Sequence, residues 1–462
     1  MTIQQEILND AAPYLVGNYA PVTEEVTLTD LPVVGQVPVE LEGRLLRNGP
    51  NPIGHVDLAT HHWFLGDGMV HGLRLRDGNA EWYRNRYVGS SQVAQTLGRE
   101  FPGPVTNEFG PNTNVIGHAG RTFAIVEAGT TPVELTYELE TVCTNGFGDS
   151  LRNGYTAHPK YDPLTGEMHA MCYSPSVLID RVEYVVVGPD GTMTKTLPIH
   201  LPSMSMLHDM GLTQKYAIVF DLPVAVDLDL AFSGVRFPLR WFDDFDARVG
   251  LVPRSAESDA EIIWCSIDPC YAFHPLNSYD LDDGRVVIDI CVFEKLFDRD
   301  RNGPWRDSLP RLERWTVDPV AMRVVRDLVD ERAQEFPRVA GRVLNLPHRY
   351  GYTTGLGGAD EDWNFGNTYK YDYETGATTE HDHGPGRHSG EPVFVSRAAA
   401  TAEDDGWIMA TVYDAAEDRS DVVILDAADI AADPVATIQL PVRIPNGFHG
   451  NWVRDEVTPP PS

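Results

Sequence analysis

In Thr156-Ala157-His158-Pro159-Lys160-Tyr161-Asp162-Pro163-Leu164-Thr165-Gly166-Glu167 a histidine stands at the head of a strand and just before a tight turn. Pro159 holds φ at about −65° directly after the histidine, and Asp162-Pro163-Leu164-Thr165-Gly166 reads as a turn into the apolar run 168–173. A histidine held that way is aimed before it meets any partner. One histidine alone does not make a metal site, because most are surface groups or hydrogen-bonded core residues.

The same pattern extends outward in both directions. Short β-rich runs at 122–126, 182–187, 216–220, 261–265, 286–292 and 407–412 each close on a Gly, Pro or Asp cluster. Strands spaced this way predict an all-β sandwich, barrel or propeller, and no strict period singles out the propeller. Helix is expected only at 90–100 and 319–332. Arg47-Asn48-Gly49-Pro50-Asn51-Pro52 reads as a turn cluster, and residues 61–78 as strand, turn, strand. The first forty residues, with Pro13, Pro21, Pro32 and Pro38 among polar residues, read as an extended arm wrapped on the body.

Composition agrees with this class. Gly 40, Pro 34, Trp 9 and Tyr 18 in 462 residues favour turns and aromatic-rich strands. The net charge of −32, from 68 acidic against 36 basic residues, argues against nucleic acid and anionic membranes as electrostatic partners. Cys143, Cys172, Cys265, Cys270 and Cys291 include no Cys-x-x-Cys pair, which argues against a zinc ribbon or a disulfide framework. Residues 1–9 show no signal peptide, and no apolar run approaches the roughly 20 residues of a spanning helix, so a cytoplasmic protein is expected. Residues 228–241 depart from the pattern, with Leu228, Leu230, Phe232, Val235, Phe237, Leu239 and Trp241 in a segment poor in strand signals. Two readings stand, core packing or an apolar lip in peripheral contact with a membrane.

Of the 15 histidines, His381, His383 and His388 read as a solvated loop, and His61, His62 and His71 as structural. Four others share a context: His158, His208, His274 and His449 each lie beside apolar or aromatic residues and close to a Gly or Pro. Far apart in sequence, they meet only if distant strands share an axis, which a propeller supplies. Four neutral imidazoles suit Fe, Cu, Zn or Ni. Bound histidines usually donate their other N–H to a carboxylate, and three glutamates stand among apolar residues as candidates: Glu127, Glu335 and Glu391.

Arg47-Asn48-Gly49-Pro50-Asn51-Pro52, His62-Trp63-Phe64 with Gly66-Asp67-Gly68-Met69, Thr156-Ala157-His158-Pro159-Lys160, His208-Asp209, Phe273-His274, Gly390-Glu391-Pro392 and Phe448-His449-Gly450 occur in one order over nearly the whole chain. In this the sequence resembles the carotenoid cleavage oxygenases, a family that includes apocarotenoid- and stilbene-cleaving members. The resemblance implies a single domain over 1–462, a seven-bladed β-propeller with a dome of loops and a few short helices over its top face and residues 1–40 as the arm. It implies Fe(2+) on His158, His208, His274 and His449, with Glu127, Glu335 and Glu391 holding three of them and His158 without a glutamate. Thr113 matches a threonine whose methyl group crowds one open iron position.

The implied reaction is cleavage of a C=C bond by O2 into two carbonyl products, on a hydrophobic polyene, a carotenoid or apocarotenoid. A stilbene or phenylpropanoid substrate, isomerisation on the same iron, and a propeller that binds a hydrophobic ligand without turnover are the alternatives. Stilbene cleavers often carry lysine just before the first glutamate; Val126 stands there and favours the polyene. Leu65 departs from the acid found in many relatives, remote from any proposed ligand.

Overall fold

The computed structural model describes residues 13–58, 61–148, 150–357 and 364–455. The chain is all-β with few helices, in a propeller-like arrangement of antiparallel meanders. The opening unit forms as its residues dictate. Strand Lys160–Tyr161 pairs with Met168–Cys172, Gly166 takes the left-handed φ of 74° that closes the turn, and its N–H donates to the Asp162 carbonyl at 2.8 Å. Behind Met168–Cys172 come Arg181–Val187 and Met193–His200, completing a four-stranded sheet.

Among the described residues the pairing yields six sheets of four or more strands and one two-stranded ribbon, rather than seven separate blades. The largest, of eight strands, joins two antiparallel meanders through one parallel pair, Ser266 with Arg323. Within it Val286–Val292 is buried along its whole length, because packing covers both faces of an inner strand. Each Val or Ile so covered contributes about 1.5–3 kcal/mol.

Chain ends close the structure. Gly43–Pro50 lies between Gly68–Arg76 and the C-terminal strand Gly450–Arg454, so Arg47 to Pro50 are strand residues and not the expected turn. In the arm, Val33–Gly35 pairs with Ala436–Gln439 and Thr27–Leu28 with Asn79–Tyr87. Tyr14 and Tyr19 set their rings 5.4 and 5.2 Å from Trp63. Residues 1–12 lie outside the described residues, and with them the expectation made of 1–9.

The helix expected at 90–100 forms as Ser91–Leu97, capped by the Ser90 hydroxyl, which accepts the Val93 N–H. The one expected at 319–332 does not form. Arg323–Asp330 is a strand, since Val324, Val325 and Val329 favour a pleated surface and Arg326 reaches Glu313 on the neighbouring strand at 2.8 Å. Residues 228–241 divide: Leu228–Phe232 is a short helix with Leu228 51% and Phe232 85% exposed, whereas Leu239–Trp241 turns inward as a strand against Val224–Val226. Among the described residues no helix is long and apolar enough to cross a membrane.

Candidate metal centre

Each of the four histidines stands just before a strand at the edge of its sheet: His274 and His449 immediately precede it, His158 lies two residues before it and His208 three. His158 leads into Lys160–Tyr161, His208 into Gly211–Leu212, His274 into Pro275–Asp280 and His449 into Gly450–Arg454. These edges converge, and the side chains converge with them. The four ligand nitrogens lie within 4.8 Å of one another and all four residues are buried. The Nε2 atoms of His158 and His208 are 3.0 Å apart, as are those of His208 and His274.

Carboxylates set the direction of three rings. His208 Nδ1 donates to Glu127 Oε1 at 2.8 Å, His274 Nδ1 to Glu335 Oε2 at 2.6 Å and His449 Nδ1 to Glu391 Oε1 at 2.9 Å. At Glu335 the same Oε2 also accepts the Phe336 backbone N–H at 2.6 Å. With Nδ1 protonated, the neutral ring carries its lone pair on Nε2. His208 and His274 therefore face each other at 3.0 Å with two acceptors and no proton between them, an arrangement that a cation relieves.

The residues fit a metal ion on three further counts. An ion about 2.1 Å from each of two imidazole nitrogens sees nitrogens 3.0 Å apart at close to a right angle, as neighbours in an octahedral shell stand. Glu127 Oε2 and Glu335 Oε1 are buried without hydrogen-bond partners, a cost that nearby positive charge offsets. Burial keeps the rings neutral and ready to ligate: it drives His158 and His274 well below the ordinary histidine range, with the neighbouring imidazoles adding to the effect, and it lowers His449 against the opposing pull of Glu391.

The two glutamates behind His274 and His449 differ. Burial pushes Glu335 well above the carboxylate range. Burial also pushes Glu391 up, but Arg338, whose Nε donates to Oε1 at 2.9 Å, and His449 together outweigh it and hold the carboxyl at about 2. One local device serves both. A bulge between Glu335 and Arg338 puts Phe336 at a φ of 53°, unusual for an aromatic residue, and turns Glu335 to His274 and Arg338 to Glu391.

His158 stands apart, its Nδ1 3.8 Å from Asp209 Oδ2, too far for a hydrogen bond. Asp209 is engaged elsewhere, Oδ2 by Lys160 Nζ at 2.7 Å and Oδ1 by the Met210 N–H at 2.6 Å. Asp209, Lys160 and Arg338 had no role assigned from sequence. The signal was their spacing, one residue after His208, two after His158 and three after Glu335. Thr113 is buried beside His449, whose N–H donates to its carbonyl at 3.0 Å, and its hydroxyl donates to Asn112 Oδ1 at 2.9 Å.

Five of the remaining histidines are held by other partners. His381 and His383 are buried rather than solvated, because Ala377–His381 is a strand; His381 Nδ1 meets the Ile430 carbonyl at 2.7 Å and His383 Nε2 the Thr368 hydroxyl at 3.1 Å. His388 lies on strand Arg387–Ser389, its Nδ1 3.0 Å from the Phe365 carbonyl. His62 Nδ1 accepts the Phe64 N–H and His71 Nδ1 pairs with the Tyr83 hydroxyl.

Two unlike surroundings meet at the centre. A cavity of about 1290 Å3, lined by charged residues including Lys160, Asp209 and Arg338, reaches His158, His274 and His449. His208 instead meets Phe273 at 4.9 Å, and from Phe273 the rings of Phe64, Phe237 and Phe297 continue toward residues 228–241.

The sequence model described as retinal pigment epithelial membrane protein matches residues 19–454. A protein of Mycobacterium tuberculosis named carotenoid cleavage oxygenase is 42% identical, covering 95% of this chain and 97% of that protein. The chain belongs to the carotenoid cleavage oxygenase family. Among solved structures, the lignostilbene dioxygenase of Pseudomonas brassicacearum superimposes on this family member with a TM-score of 0.88 at 27% identity, covering 96% of this chain and 99% of that one. Cobalt-substituted ACO of Synechocystis does so with a TM-score of 0.82 at 26% identity, covering 94% and 97%.

Proposed function

We propose that this protein is a non-haem Fe(2+) dioxygenase that cleaves a C=C bond of a carotenoid or apocarotenoid with O2 into two carbonyl products. The observation that carries the reading is the convergence of four buried imidazoles, three with Nδ1 committed to Glu127, Glu335 and Glu391, beside an aromatic wall. His158, His208, His274 and His449 would hold the iron, whose chemistry is to bind O2 and activate it toward an electron-rich double bond. The three glutamates fix ring orientation. Phe273 and its neighbours exclude water and take up an apolar chain. The Thr113 hydroxyl is committed to Asn112, leaving its methyl group to crowd one approach to the centre.

The carotenoid relative at 42% identity and Val126 before Glu127 favour a polyene over a hydroxystilbene. Exposed Leu228 and Phe232, in the same segment as half-buried Phe237, support peripheral membrane contact by a cytoplasmic protein that draws its substrate from lipid. We read the chain as one domain of seven blades under a dome of loops. The eight-stranded sheet supplies two blades, and pairing of Gly43–Pro50 with Gly450–Arg454 closes the ring. Iron-loaded protein incubated in air with carotenoids, apocarotenals and hydroxystilbenes tests this. Aldehyde or ketone products from polyenes are expected, and turnover confined to hydroxystilbenes overturns the substrate assignment.

A further inference from the structure

We propose that the polar cavity is the route by which the metal ion reaches and leaves the four histidines, and that the Lys160–Asp209 pair closes its inner end. This rests on the metal reading above. A divalent ion sheds its water at great cost in an apolar passage, so the aromatic flank is closed to it. The cavity of about 1290 Å3 carries cationic side chains (Lys160, Arg338, Arg454) and carboxylates (Asp209, Glu391, Asp455) among apolar ones, and touches three of the four rings.

Its inner end is built differently from the rest of the centre. Three imidazoles are tied to carboxylates at 2.6–2.9 Å, but His158 Nδ1 has no carboxylate closer than 3.8 Å. Swinging His158 aside breaks no charge-assisted hydrogen bond, so the ligand set opens there first. The group that withholds a carboxylate from His158 is Lys160. It occupies Asp209 Oδ2 at 2.7 Å, and its side chain is 20% exposed where that of Asp209 is 2% exposed. When the lysine swings into the cavity, Asp209 is left as an oxygen ligand beside His158, a station for an ion in transit. When it returns, its ammonium repels a second cation.

The experiment follows Co2+ uptake by metal-free protein, and release of Co2+ to a chelator, through the visible absorption of the bound ion. Ser396, which lines the cavity and is not one of the ligands, is changed as Ser396→Cys and labelled with a cationic or an anionic methanethiosulfonate. The unsubstituted chain treated alike sets the baseline for Cys143. Uptake is expected to be at least ~3-fold slower with the cationic label than with the anionic one at low salt, the gap closing at high salt. Lys160→Met is expected to release Co2+ several-fold faster. Equal uptake with the two labels, or release unchanged in Lys160→Met, overturns the route while leaving the metal site standing. Failure of the unsubstituted protein to bind Co2+ overturns both.

Discussion

The two flanks of the histidine centre are built on opposite principles. On the cavity side, Lys160 is paired with Asp209 and Arg338 with Glu391, so charge stands next to water and is compensated pair by pair. On the other side His208 faces Phe273, with Phe64, Phe237 and Phe297 beyond it, and His62 lies at 3.9 Å against Phe237 with burial holding its pKa at about 3. One side is arranged to keep ions solvated, the other to keep them out. A centre that joins an apolar substrate to a metal needs both, since the ion is lost if its far side is dry all round and the polyene is not bound if its near side is wet.

The comparison can be broken most severely at the point the flanks share. His208→Ala removes the ring that touches the aromatic side, and with roughly a quarter of a binding energy of about 10–16 kcal/mol gone, metal affinity falls roughly 100- to 1000-fold; metal analysis after dialysis reads this. On the dry side alone, Phe273→Ala leaves a cavity costing about 3–5 kcal/mol in a denaturant titration, with metal content unchanged and KM for a polyene raised. Glu335→Gln weakens the carboxylate behind His274 and lowers metal affinity by roughly 10–100-fold in a chelator competition.

Further out, Phe232→Asp takes about 1.5–3 kcal/mol of apolar contact off the lip, so recovery with sedimented lipid vesicles drops roughly tenfold. The smallest effect concerns His62. Its folded pKa lies below the unfolded value, so the unfolded chain takes up a proton as pH falls below about 6.5 while the folded one stays neutral, and stability drops toward pH 3. His62→Asn is expected to flatten that slope by about 1.4 kcal/mol per pH unit, measured by denaturant unfolding between pH 6 and 4.

Much of the centre was legible because each element announces itself locally. His158 is pinned by Pro159, His449 by flanking Phe448 and Gly450, and the glutamates stand out among apolar neighbours. The errors have equally local causes. A helix was expected at residues 319–332, yet the cross-strand contact of Arg326 with Glu313 is invisible at that range. His381 and His383 looked solvated among glycines and charges, but their partners Ile430 and Thr368 lie 49 and 15 residues away.

What the sequence determined by itself was the strand-and-turn pattern, the four histidines and three glutamates that converge, and the family, because these depend on residue type and order. Only the tertiary structure decided that Asp209 serves Lys160 instead of His158, that Arg338 holds Glu391, and that one flank opens on a cavity bearing charged side chains while the other is packed with aromatic rings. A charged side chain is stabilised by whichever partner the fold brings within hydrogen-bond reach, and these partners lie 49 and 53 residues away along the chain.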